Sequence, residues 1–327
     1  MKLSEIGEFG FIERIRQRAD GKGVRLAIGD DCAAVAMDAG QLLLTSKDLL
    51  IEGVHFRLDW TDLYRLGRKS VSVNVSDVAA MGGNPEYLFL GLAMAPTLTV
   101  EDLDAFIDGF LAAARDYGVR LIGGDTCRSP GPLIVSVTVQ GSVPAEQILC
   151  RSGARPGDAV YVSGTLGDSA LALQLLQQGQ PLSSQLAARH HDPRARAELG
   201  RALAVAGIPS AMIDLSDGLL ADLGHILTAS KVGAHIDAAV LPLSPDFQAA
   251  LSQGQASSEL ALAGGEDYEL LFTVPASREG RLTELSPQFS QDLTRIGHIG
   301  PAEDGLRIRK GSGEMAASGP KGFNHFS

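Results

Sequence analysis

A chain of 327 residues is too long for one ordinary hydrophobic core and suits two domains. Its composition, 45% hydrophobic and 20% charged, is that of a globular protein, and a net charge of −11 argues against a nucleic-acid or anionic-membrane partner, which would need a basic face. Three cysteines without a CxxC pair give no disulfide framework, and neither a leader-type apolar core nor a membrane-length apolar run occurs, so the expectation is a reduced, cytoplasmic setting.

In chain order, residues 4–19 have Ile6, Phe9, Ile12 and Ile15 at near-helical spacing. VRLAI (24–28) reads as a strand ending in Gly29-Asp30-Asp31, and QLLLTS (41–46) as a strand ending in Lys47-Asp48. A helix is predicted over 62–81, with Val71, Val75 and Val78 on its core side and Asp77 near its C-terminal end, where a carboxylate opposes the helix dipole unless a cation is near. A strand over 87–95 precedes a helix that starts at Thr99 and Asp102 in capping-box fashion and runs to about 117. Strands follow over 119–125 and 133–143. The turn Pro156-Gly157-Asp158 opens a second domain, giving divisions of 1–147 and 148–327. Next come a strand DAVYVS, the Gly-rich turn SGTLGDS (163–169), a helix over 168–177 and a polar loop over 178–193. Helices over 194–206 and 217–230 flank MIDLSDG, and AHIDA (234–238), a long polar loop and the turn-to-strand segment GGEDYELLFTV (264–274) complete the pattern.

Apolar strands repeatedly end in an acidic residue in a turn. Asp30, Asp48, Asp125, Asp214 and Asp217 all follow this rule, and Asp77 adds a sixth carboxylate. One such Asp is an ordinary turn or cap residue, and Asp217 alone could be an N-cap. A set of them at one sheet edge would repel unless cations neutralised it. Oxygen ligands without His or Cys suit Mg²⁺ rather than Zn²⁺, and Mg²⁺ binds through carboxylates together with substrate phosphates. The set therefore points to a nucleoside triphosphate site, although no GxxxxGK[ST] loop, GxGxxG turn or HRD/DFG pair is present.

IGDDCAAV (28–35), DLLIEGVHF (48–56), NVSDVAAMGGNP (74–85), LIGGDTCRS (121–129), RSGARPGD (151–158), IDLSDGL (213–219) and GGEDYELLFT (264–273) resemble, in order, the thiamine-monophosphate kinase family, as does the ending GFNHF. The resemblance covers about 25–275. It implies an α+β, two-domain fold of the aminoimidazole ribonucleotide synthetase type, with the N-terminal domains of two copies pairing into a shared β-barrel. It implies ATP as co-substrate, several Mg²⁺ ions, thiamine monophosphate as acceptor and a homodimer. By matched position, Asp30, Ser46, Lys47, Asp48, Asp77, Asp125, Asp214 and Asp217 would be metal positions. Asp30, Asp48, Asp77 and Asp125 would stabilise the transferring group. Gly124, Asp125, Arg151 and Ser216 would contact nucleotide, and His55, Glu266 and Phe323 the acceptor. Lys47 departs from the family's Thr or Ser and could replace part of the cation charge or point away. Ile107 stands where a Tyr is usual near the nucleotide. Arg151 could pair with phosphate or cap the domain linker. Glu266 is not singled out by charge, because Asp267 and Glu269 are as acidic. The alternatives are a related ATP enzyme with another acceptor and a non-catalytic nucleotide- or metal-binding protein.

Overall fold

The computed structural model describes residues 25, 30–36, 40–95, 97–309 and 315–318. The predicted helix over 4–19, most of the strand over 24–28, and Phe323 lie outside them.

The first half is a five-stranded sheet backed by two helices. The strands are β1 (Ala33–Ala36), β2 (Gln41–Ile51), β3 (Asn84–Met94), β4 (Arg120–Arg128) and β5 (Ile134–Pro144). Their spatial order is β1-β2-β5-β3-β4, antiparallel throughout except for the parallel pair β3–β4, which leaves β4 at an edge. Strict alternation along β5 buries Val135, Val137 and Val139 against the helices. The helices are α1 (Leu63–Ala80) and α2 (Val100–Asp116). Asp62 caps α1 by accepting from the Arg65 amide, and Thr99 with Asp102 forms the expected capping box on α2. The two helices cross closely because Gly67 and Gly109 carry no Cβ: one there would lie 2.1 Å from the Phe106 carbonyl oxygen and 1.9 Å from that of Tyr64.

Spacing predicts a one-sided α1, but the helix is buried on nearly every side because the second domain packs on it as well. Its buried polar residues are accordingly hydrogen-bonded. Ser72 meets the Tyr117 hydroxyl, the Asn74 carbonyl accepts from the Asp48 amide, and Ser76 donates to Asp214 across the domain junction.

The second half contains β6 (Ala159–Ser163), β7 (Ala211–Asp214), β8 (Gly233–Asp237), β9 (Leu270–Val274), β10 (Leu293–Gly300), β11 (Leu306–Arg309) and β12 (Met315–Ser318). They form one mixed sheet in the order β12-β11-β8-β10-β6-β9-β7. Around it lie α3 (Asp168–Gln177), α4 (Ser184–His191), α5 (Ala197–Val205), α6 (Leu219–Ser230), α7 (Pro245–Ser252), α8 (Ser258–Ala263) and α9 (Glu279–Leu285). The expected loop over 178–193 therefore contains α4, and the loop before 264 contains α7 and α8. Both α4 and α7 begin at serine N-caps, Ser183 and Ser244, whose hydroxyls accept from the Leu186 and Phe247 amides.

Each half has its own apolar core, and a third cluster joins Ala80 and Leu149 to Leu199, Leu203, Met212 and Phe272. That shared cluster seats β7, and with it Asp214, beside the C-terminal turn of α1. Among the described residues, no helix is long and apolar enough to cross a membrane.

Candidate active site

Period-two geometry along β2 decides which of its polar residues enter the site. Leu44, Ser46, Asp48 and Leu50 share one face, so the Lys47 side chain points to the other, where it is exposed at the rim of the cleft and its ammonium lies 3.4 Å from the Thr138 hydroxyl. On the inner face, the Ser46 hydroxyl donates to Asp77 at 2.5 Å. Asp77 comes from α1 and Asp214 from the end of β7. Together with Asp31 they form a group whose carboxylate oxygens lie within 4.8 Å of one another.

Among the described residues, no basic side chain balances all of this group. Arg151 takes Asp31, through Nε at 3.2 Å and through Nη2, and its amide donates to Asp30 at 3.3 Å. The second Asp31 oxygen, Oδ2, is buried without a hydrogen-bond partner among the described residues. Burial, and then the neighbouring carboxylates Asp48, Asp214 and Asp31, push Asp77 well above the usual carboxylate range. Burial and Asp31 raise Asp214 to about 7, burial and Asp217 raise Asp48 to about 6, and burial and Asp31 raise Asp30 to about 6. A second group, Asp217, Asp222 and His225, lies where the chain enters α6. There Asp222 accepts from the Asp217 and Gly218 amides and holds the turn.

Of these carboxylates Asp48, Asp77, Asp214 and Asp217 open into a cleft of about 1420 Å³ between the domains, with Ser216 beside them, while Asp30, Asp31 and Asp222 lie behind its lining. Further along it lie His55, Phe56, Trp60, Lys69, His190, Glu266 and Tyr268. The Gly264–Tyr268 turn is shaped for this position. Glu266 and Tyr268 have φ of 65° and 49°, and their amides donate to the carbonyls of Ser216 and Leu215 at 2.8 Å each. A Cβ on Gly265 would lie 2.4 Å from the Ser216 carbonyl oxygen, so the turn and the IDLSDGL segment press backbone to backbone.

Glu266 pairs with Lys69 at 3.0 Å and faces His190 at 3.6 Å. Burial raises its carboxyl, but the Lys69 ammonium outweighs that and holds it below the ordinary range. Burial and Lys69 drive His190 down to about 3, so its ring is neutral at physiological pH. His55 accepts from the Ile51 amide through Nδ1 at 3.0 Å, which leaves its ring proton on Nε2 when neutral.

Family profiles match this chain as "AIR synthase related protein, N-terminal domain" over 29–143 and "AIR synthase related protein, C-terminal domain" over 155–308. The thiamine-monophosphate kinase of Salmonella typhimurium is 42% identical over 98% of both chains. The chain belongs to the thiamine-monophosphate kinase family. Solved members of that family share the fold. The structure described as AaThiL complexed with AMPPCP and TMP is 36% identical, with a TM-score of 0.87 over 99% of each chain. The thiamine-monophosphate kinase of Stenotrophomonas maltophilia K279a is 41% identical, with a TM-score of 0.78, covering 94% of this chain and 98% of that one.

Within this thiamine-monophosphate kinase family fold, Ser46, Asp48, Asp77, Asp214, Ser216, Asp217, His55 and Glu266 come together around or beside one cleft. Asp30 flanks the three-carboxylate group, while its neighbour Asp31, not chosen from the sequence, belongs to it. Gly124 and Asp125 stand apart, on the outer strand β4, whose residues 122–128 are all exposed. Asp125 takes part in neither carboxylate group. Arg151 is engaged by Asp31. Ile107 packs against the first domain's core, which keeps apolar contact where the usual Tyr is missing. Sequence reasoning missed Asp31, Lys69 and His190. A basic last turn, Arg189-His190-His191, behind Ser183 was the available signal for α4.

Proposed function

We propose that this protein transfers the γ-phosphoryl group of ATP to thiamine monophosphate, giving thiamine diphosphate and ADP. The observation that carries this reading is the single cleft joining an under-neutralised carboxylate group to the wall bearing His55 and Glu266. The relative described as a complex with AMPPCP and TMP supports it, because its fold superposes over nearly the whole chain.

The donor set fits Mg²⁺. It is built from carboxylate and hydroxyl oxygens, it has more negative charge than Arg151 offsets, and Asp31 Oδ2 is buried without a partner. Asp31, Asp77 and Asp214, with Ser46, Asp48 and Asp217 around them and Asp30 flanking, would hold the ions. Magnesium bound there would screen the repulsion between two anionic substrates and stabilise charge on the group in transfer. The chain's own contribution is positioning. The acceptor phosphate is ionised at neutral pH, so no strong general base is required. Ser216, beside Asp217 in the cleft, would contact the nucleotide, and His55 Nε2 would donate to the acceptor. Glu266, held ionised, would accept from the aminopyrimidine or meet the cationic thiazolium. Phe323 would cover the rings.

Gly124 and Asp125 would act from a surface shared by two copies. The exposed edge of β4, with Ile122 53% exposed, supports a homodimer whose N-terminal sheets join as a barrel. Two separate sheets and cores support a domain boundary near 147/148, and the acidic composition suits a cytoplasmic enzyme.

Incubation with ATP, Mg²⁺ and thiamine monophosphate, followed by product analysis, tests this. Thiamine diphosphate and ADP in equal amounts are expected, with none formed from unphosphorylated thiamine. ATP turnover only with another acceptor, or binding without turnover, refutes it.

A further inference from the structure

Lys69 lies outside every motif that marks the family in this chain, yet its side chain is only 5% exposed and crosses from α1 into the second domain. Its ammonium lies 3.0 Å from Glu266 Oε1 and 3.0 Å from the His190 carbonyl oxygen. A lysine this deeply buried requires a counter-charge, and both groups it meets belong to the other domain. The opposite Glu266 oxygen faces His190 Nδ1 at 3.6 Å, and that nitrogen is also 2.8 Å from the Ser169 hydroxyl. Lys69 is therefore the full positive charge on Glu266, and His190 a neutral neighbour. Helical spacing adds a second observation: Leu66, Lys69, Val73 and Asp77 all line the cleft, so one stripe of α1 reaches from Glu266 to the carboxylate group.

We propose that Lys69 is a positioning residue that selects the acceptor: it anchors the Glu266 carboxylate, ionised and at fixed height in the cleft, for the nitrogen-rich or cationic ring of the substrate. Two of the three ammonium N–H groups go to Glu266 and the His190 carbonyl, so Lys69 is assigned to acceptor binding, and kcat separates that from an action on the transferring phosphate. This rests on Glu266 being an acceptor contact, and the experiment separates the two claims.

Full-length wild type, Lys69→Met, Lys69→Arg, Glu266→Gln and the Lys69→Met/Glu266→Gln double variant are compared in initial rates against both substrates. Lys69→Met should raise KM for thiamine monophosphate about tenfold or more, with kcat within about threefold and KM for ATP within about twofold. Lys69→Arg keeps the charge but not the geometry, and should fall between. The double variant should be no worse than Glu266→Gln, because Lys69 then has nothing to anchor. If Lys69→Met does not fold, Lys69→Arg and the double variant, which leaves no unpaired charge, carry the test. A fall in kcat at unchanged acceptor KM overturns the inference, as does a double variant whose KM rise is the product of the single rises. If Glu266→Gln leaves acceptor KM unchanged, the Glu266 assignment is what fails, and the proposal falls with it.

Discussion

Two buried acidic regions of this protein meet the same electrostatic problem with different solutions. Glu269, fully buried on the approach to β9, accepts from Arg189 at 2.9 Å, from Arg196 Nε at 2.7 Å and from the Ser163 hydroxyl at 2.6 Å. Its cations are part of the chain. Among the described residues, Asp31, Asp77 and Asp214 have one arginine between them and an orphaned oxygen. The protein can evidently supply guanidinium groups where it needs permanent neutrality. Where it withholds them, the proposed function has the missing charge supplied by Mg²⁺ arriving with the substrate phosphates.

The sharpest way to break this contrast is to neutralise one acid in each region. Asp77→Asn should lower kcat about 10³-fold, roughly 4 kcal/mol in the barrier, while leaving the thermal midpoint unchanged or higher because a repulsion is removed. A near-normal rate at moderate Mg²⁺ would take Asp77 out of the site. Glu269→Gln should do the reverse. It strands Arg196 and leaves Arg189 with Asp168, Asp267 and the Thr165 carbonyl, costs roughly 3 kcal/mol in urea unfolding, and is not rescued by magnesium.

A smaller effect sharpens the comparison through pH. Asp48 and Asp214 titrate near 6 and 7 in the folded chain, against an ordinary 3.8. Between those values the folded state keeps protons that the unfolded state has lost, so stability falls as pH rises through that window. Without divalent cations, the midpoint should drop by a few degrees between about pH 5.5 and pH 8, and Mg²⁺ should raise it more at about pH 8 than at about pH 6. A midpoint independent of both would show that these carboxylates are not held together. The smallest change, Thr99→Ala at the α2 cap, touches neither region. It should cost about 1 kcal/mol in urea unfolding and leave KM for both substrates as it was.

Local rules made much of this readable. The α2 capping box, the alternation of β5 and the α3 limits of 168–177 follow from spacing and cap chemistry. The acids were readable as a set because apolar runs precede most of them, although only Asp214 ends its strand: Asp48 and Asp125 lie inside β2 and β4, which continue to Ile51 and Arg128, and Asp77 lies inside α1. Selection within the set was harder. Asp30 and Asp31 are adjacent in a turn, and which one joins Asp77 depends on the path of the chain after residue 31. Glu266 and Glu269 have equal charge, and it is Arg189 in α4 and Arg196 at the start of α5 that commit Glu269 to the scaffold. Arg189 was hidden by reading 178–193 as polar loop, and Arg196 sat in a predicted helix whose partner in the fold could not be read from spacing. Lys69 was invisible for a different reason: within α1 it looks like a solvated surface charge, and its partners lie in another domain. Lys47 shows the opposite case, since period two along β2 already turned it away from Ser46 and Asp48.

The cleft-lining stripe of α1 makes its length a fixed quantity. From Lys69 to Asp77 the helix rises about 12 Å, and each added residue would rotate the downstream part of the helix by about 100°. One inserted amino acid between them would swing Asp77 off the cleft while leaving Lys69 on Glu266. Insertions ahead of Ser183, by contrast, alter only a surface connection. A library of single-codon insertions should therefore leave α1 blank among the active survivors and populate the stretch before α4.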